Sequence, residues 1–132
     1  MVQKELTYRG KTAKELERMT TEEFMKLVPA RQRRSLKRGF TTAQKRLLEK
    51  IRKAKQGIWK KPIKTQCRNM IIIPEMLGVT IHIHRGRDYV PVAITQEMLG
   101  HYLSEMTLTR QKVTHSAPGI GATKSSAAIS VK

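Results

Sequence analysis

The sequence predicts an α+β fold: a small mixed three-stranded sheet packed with short helices, a helical N-terminal extension and a flexible C-terminal tail. Three observations predict it. Helix-capping signals recur through the first half of the 132-residue chain. The hydrophobic period then switches from helical to alternating after "KKPIKTQCR". From Val113 onward the chain is rich in Gly, Ser, Ala and Thr and has no hydrophobic period at all. Divisions follow as residues 1–29 for the extension, 30–112 for a basic α+β domain and 113–132 for the tail.

The first segment reads as short helices. Thr12 is placed to cap "AKELERM". Thr20 and Glu23 have capping-box spacing and open "TEEFMKLV", which Pro29 stops. Leu16, Met19, Phe24, Leu27 and Val28 give these turns a small apolar face. "ARQRRSLKRG" follows as a short helix closed by Gly39. "TTAQKRLLEKIRKAKQG" is the longest helical stretch, with a Thr41/Gln44 capping box and Gly57 just past its end. At 100° per residue Ala43, Leu47, Leu48, Ile51 and Ala54 fall in one stripe, opposite Lys45, Arg46, Arg52 and Lys53.

Three strands are expected next. "MIII", ending at Pro74, is a buried apolar run. "TIHIH" alternates, with Ile81 and Ile83 inward and His82 and His84 outward. "RGRD" turns at Gly86, and "YVPVAI" returns with Val90, Val92 and Ile94 inward. Pro91 has no amide proton, which places that strand at an edge. Thr95 then caps "QEMLGHYL", read as a helix whose Met98, Leu99 and Tyr102 cover the sheet.

The charge bounds the function. Net charge is +17, which implies a polyanionic partner, nucleic acid before membrane surface. It is concentrated in one place: residues 31–64 carry fourteen Lys/Arg against the single Glu49. Arginine's planar fork suits phosphate. The long basic helix has no aromatic anchor on its apolar side, which weakens a membrane role. No run approaches the ~18 apolar residues of a membrane span. One cysteine, Cys67, forbids an internal disulfide and fits a reducing, cytoplasmic setting.

Enzyme chemistry finds little support. "HSAPGIGATKSS" hints at a phosphate-cradling loop, but Thr123 and Pro118 stand where a P-loop requires glycine, and Lys124 replaces the third glycine of a dinucleotide fingerprint. His82 and His84 lack partners with zinc spacing, so no metal is expected. His101 and His115 have no nucleophile or acidic pair arranged near them in sequence, and Glu49 alone is poor equipment for a nuclease. No catalytic residue and no cofactor are assigned.

With these segments laid out, the chain resembles the ribosomal protein S-nineteen family of the small subunit, in its archaeal and eukaryotic type. The resemblance rests on "RRSLKRG", "KKPIKTQCRNMIIIPEMLGVTIHIHRGRDYVPV", "ITQEMLGHYLSEMTLTR" and "PGIGATKSS", in that order. Two departures stand out. Ser104, Glu105 and Met106 occupy positions where the family commonly has Gly-Glu-Phe, and Ser116 follows His115 in place of glycine. The resemblance implies a structural protein of the subunit head that binds small-subunit rRNA. It also implies a neighbouring S-thirteen-type protein, and a tail that extends toward the decoding region and tRNA. By matching position, the implied RNA contacts are Arg33, Arg34, Lys37, Arg38, Lys60, Lys61, Lys64, Arg68, Arg85, Arg87, His101, Arg110, His115 and Lys124. In the tail, Gly119 and Gly121 allow close backbone approach, and Thr123, Ser125 and Ser126 offer hydroxyls to phosphate. The alternative is a transient RNA-binding assembly or translation factor.

Overall fold

Capping chemistry sets the first half of the molecule. The computed structural model describes residues 7–113. Four helices come in succession: α1 (Ala13–Arg18), α2 (Thr21–Leu27), α3 (Ala30–Lys37) and α4 (Thr42–Lys55). At the start of α2, the Thr20 N–H donates to the Glu23 carboxylate at 3.1 Å, and the Glu23 N–H donates to Thr20 Oγ1 at 3.4 Å. Thr41 and Gln44 repeat the exchange at the start of α4, at 3.0 and 3.4 Å. Each pair satisfies two amides that a helix start would leave bare. The far end of α4 closes on Gly57, at φ +76°. There the Gly57 N–H reaches Ala54 O and the Ile58 N–H reaches Lys53 O, the paired bonds of a Schellman ending.

The sheet is mixed and three-stranded, as expected, but its first strand is not the expected one. β1 is Ile63–Thr65, β2 is Thr80–His84 and β3 is Tyr89–Ala93, in the order β1-β2-β3. β1 runs parallel to β2, with Ile63 opposite Ile81 and Thr65 opposite Ile83. β2 and β3 form the expected hairpin, with Ile81 opposite Val92 and Ile83 opposite Val90. Ile81 and Ile83 are fully buried, and Val90 and Val92 half-buried on the same face. Pro91 lies exposed on the edge strand β3, where a missing amide proton costs no ladder bond.

"MIII" is not a member of the ladder. Met70, Ile71, Ile72 and Ile73 are all buried, but they form an extended segment paired with residues 100–103. The Ile72 N–H donates to His101 O at 2.8 Å, the Gly100 N–H to Ile72 O at 3.0 Å, and the Leu103 N–H to Met70 O at 2.9 Å. An apolar run buried on all sides has the same pattern whether its backbone joins a sheet or another loop. "QEMLGHYL" also differs. It forms one 3-10 turn, Gln96–Met98, and then an extended stretch that leads into a second at Leu103–Met106, rather than one helix. Gly100 stands between them at φ +80°, and its amide is spent on Ile72. A Cβ there would sit 2.8 Å from the Tyr8 hydroxyl, so any other residue would also have to displace the tip of that side chain.

One hydrophobic cluster joins all of this. Leu16, Phe24 and Val28 from the first helices share it with Leu47, Leu48 and Ile51 of α4 and the isoleucines of the sheet. Ala43, assigned to the inward stripe of α4, is exposed, and Gln44 is buried in its stead. Its cap bond to Thr41 satisfies the amide oxygen and makes that burial inexpensive.

Candidate nucleic-acid interface

Helix α3 carries the densest charge. It buries only Leu36, and Arg31, Arg34, Lys37 and Arg38 are exposed around it. No acidic residue stands in its first turn. The site residue Arg33 has a different job. Its Nε donates to Met25 O at 3.1 Å and its Nη2 to Val28 O at 3.0 Å. These carbonyls end α2, where the helix dipole leaves partial negative charge. Arg33 therefore ties α3 to α2.

Arg68 is committed still more fully. Nη1 donates to His84 O at 2.6 Å and to Thr107 Oγ1 at 2.7 Å. Nη2 donates to Ser104 O at 3.0 Å and to Thr107 O at 2.9 Å. One guanidinium thus joins the end of β2 to the last 3-10 turn. Its charge is absorbed by carbonyl dipoles, and its donors leave little for a phosphate.

The other implied contacts are placed as follows. Lys60 and Lys61 are exposed in the loop after α4, and Lys64 is exposed on β1. Arg87 is exposed in the β2–β3 turn, beside Arg85, which pairs with Asp88 at 3.3 Å. Arg110 is exposed beyond the last turn. His101 Nδ1 meets Glu105 Oε2 at 2.5 Å. The Glu105 carboxyl is held below its ordinary value, chiefly because it accepts the Tyr102 backbone N–H, with His101 adding to the effect. His115 and Lys124, with the rest of the proposed tail contacts, lie outside the described residues.

Helix α4 adds a second basic surface. Lys45, Arg46, Lys53 and Lys55 are exposed along it. Arg52 is held by Glu75 through two bonds, of 2.9 and 3.2 Å, which raise its already high pKa. That pair is open to solvent, so its worth is on the order of 0–1 kcal/mol. Arg46 and Lys50 line a groove against β1 together with Lys64 and Tyr89. Arg46, Lys50 and Tyr89 were not among the implied contacts. The alternation of "YVPVA" carried the signal for Tyr89, since it puts that ring on the same side as Pro91, away from the core.

Among the described residues, no group of three or more His, Cys, Asp or Glu could hold a metal ion. No described helix is long and apolar enough to cross a membrane.

Comparison with known proteins points to one family. A family model described as Ribosomal protein S19 matches residues 34–115. The chain is also similar to the "Small ribosomal subunit protein uS19" of Saccharolobus solfataricus (strain ATCC 35092 / DSM 1617 / JCM 11322 / P2). The two are 49% identical over 130 residues, covering 98% of this chain and 93% of that protein.

Proposed function

Because this chain belongs to the ribosomal protein S19 family, we propose that it holds small-subunit rRNA in the head of the subunit, near the tRNA path. It is a non-enzymatic, structural protein of the small ribosomal subunit. The observation that carries the rRNA reading is the run from 31 to 64, where fourteen cations meet one carboxylate. Most of those side chains are exposed on α3, α4 and the loop that follows. Such a block binds phosphates by releasing their counterions. A neighbouring S-thirteen-type protein, a tail reaching toward tRNA and a cytoplasmic ribosome complete the proposal, on the strength of the family resemblance.

The test separates RNA binding from scaffolding. Arg34, Lys37 and Arg38 are exchanged together for Ala, and Arg33 is left in place because it holds α2 to α3. Binding to small-subunit rRNA is measured across a salt series. Each phosphate that the variant no longer neutralises lowers the log–log slope by about 0.7 to 0.9. The melting transition is expected to stay near that of the parent. A triple variant with the parent's affinity and slope would refute phosphate binding by α3.

A further inference from the structure

The sheet face turned away from the core bears an aromatic ring held from several sides. Register places His84 opposite Tyr89, and Lys64 opposite His82. The Tyr89 ring reaches across β2 and meets the His84 ring edge-on, at 4.9 Å between centroids. Gln66 Nε2 donates to the Tyr89 hydroxyl at 3.4 Å. Lys64 Nζ stands 5.4 Å over the ring. Tyr89 is nonetheless half-exposed. A tyrosine that served only the core would face Ile81 and Ile83, not this side.

Beside the ring lies a groove of about 310 Å³ between α4 and β1. Arg46, Lys50 and Lys64 bring three cations to it from two elements, Thr65 and Gln66 supply polar groups, and among the described residues no carboxylate lines it. Lys50 also stands over the Trp59 ring, its ammonium 5.9 Å from the centroid. The volume falls at the lower end of the roughly 300–1,000 Å³ of small-ligand pockets.

We propose that this groove receives a single unpaired RNA nucleotide, with its base stacked on Tyr89 and its flanking phosphates held by Arg46, Lys50 and Lys64. The physical reason is a mismatch with duplex. Bases in an A-form helix are stacked and closed to a side-chain ring, so a helix would use the three cations and leave Tyr89 idle. An unstacked base uses both, because every base has a face to offer an aromatic side chain. Lys64 covers the ring in the free protein. On binding, the base takes its place and the ammonium moves to a phosphate. The proposal rests on the rRNA reading above. It adds a ligand class to that reading, on residues separate from α3.

Ultraviolet cross-linking of the full chain to small-subunit rRNA, read by mass spectrometry, tests it on unaltered protein. The expected product joins the Tyr89 peptide to a nucleotide that is unpaired in the rRNA. In parallel, Tyr89→Leu is expected to weaken binding by about 5- to 150-fold, the span of base–aromatic stacking, without changing the salt slope. Tyr89→Phe keeps the ring and is expected to bind as the parent does. Arg46→Gln with Lys50→Gln is expected to lower the slope by about 1.4 to 1.8, as for two phosphates. Cross-links elsewhere but none at Tyr89, or a Tyr89 cross-link to a paired nucleotide, would overturn the proposal. So would a folded Tyr89→Leu variant with full affinity. If that variant does not fold, the cross-link decides alone. Absence of binding by the parent would overturn the rRNA reading and this one with it. A parent that binds but fails either arm overturns only this one.

Discussion

Exchanging Arg68 for Met keeps most of the side chain's length and apolar stem and removes the guanidinium. Four acceptors lose their donor: His84 O, Thr107 Oγ1, Ser104 O and Thr107 O. They are not equal. Thr107 is 4% exposed, so water does not readily replace the donor at its two oxygens. His84 and Ser104 are only half-buried as residues, so their two carbonyls are left out of the sum. Hydrogen bonds to a charged group contribute about 1.5–3 kcal/mol each. Counting only the two at Thr107, the cost is about 3–6 kcal/mol, out of a total that is typically about 5–15 kcal/mol for a domain. The melting temperature of a domain this size should fall by roughly 10–20 °C. Arg68→Lys should fall between, because one ammonium cannot span both sides of the clamp. Arg34→Met, on an exposed site of α3, should stay within about 0.5 kcal/mol of the parent. Thermal melts by circular dichroism at one pH and ionic strength compare all three. If Arg68→Met melts within about 2 °C of the parent, the clamp contributes little and the reasoning from its bonds is wrong.

Two further predictions concern the sheet and the last turn. Ile83 is fully buried and His82 faces outward, so Ile83→Ala should cost about 2–5 kcal/mol and His82→Ala much less; denaturant melts that rank them the other way would reverse the assigned faces. Glu105 has its carboxyl held low, so its contribution is complete above the ordinary glutamate value and fades as pH falls through the lower folded value. The stability difference between the parent and Glu105→Gln should therefore shrink on acidification below the ordinary value, and a difference that widens there would contradict the sign.

The parts of the fold legible in the sequence are those decided within a few residues. Thr20 with Glu23, Thr41 with Gln44 and Gly57 mark helix ends because the bonds they make lie three to five positions away. "TIHIH", "RGRD" and "YVPVA" specify a hairpin for the same reason: a period of two on each side of a short turn admits one register. The basic block was equally plain, since net charge does not depend on folding. What lay beyond the sequence were the partners brought together over long separations. The parallel pairing of Ile63–Thr65 with Thr80–His84 is one case, and the pairing of Met70–Ile73 with residues 100–103 is another. Arg33 and Arg34 stand in "RRSLKRG" and Arg68 in "KKPIKTQCR", and as arginines of basic motifs the three look alike in the sequence. Tertiary structure alone sends Arg33 to the end of α2 and Arg68 to Thr107, and leaves Arg34 free at the surface. An arginine's charge is a local property, but whether a carbonyl already occupies its donors depends on residues up to 39 positions away.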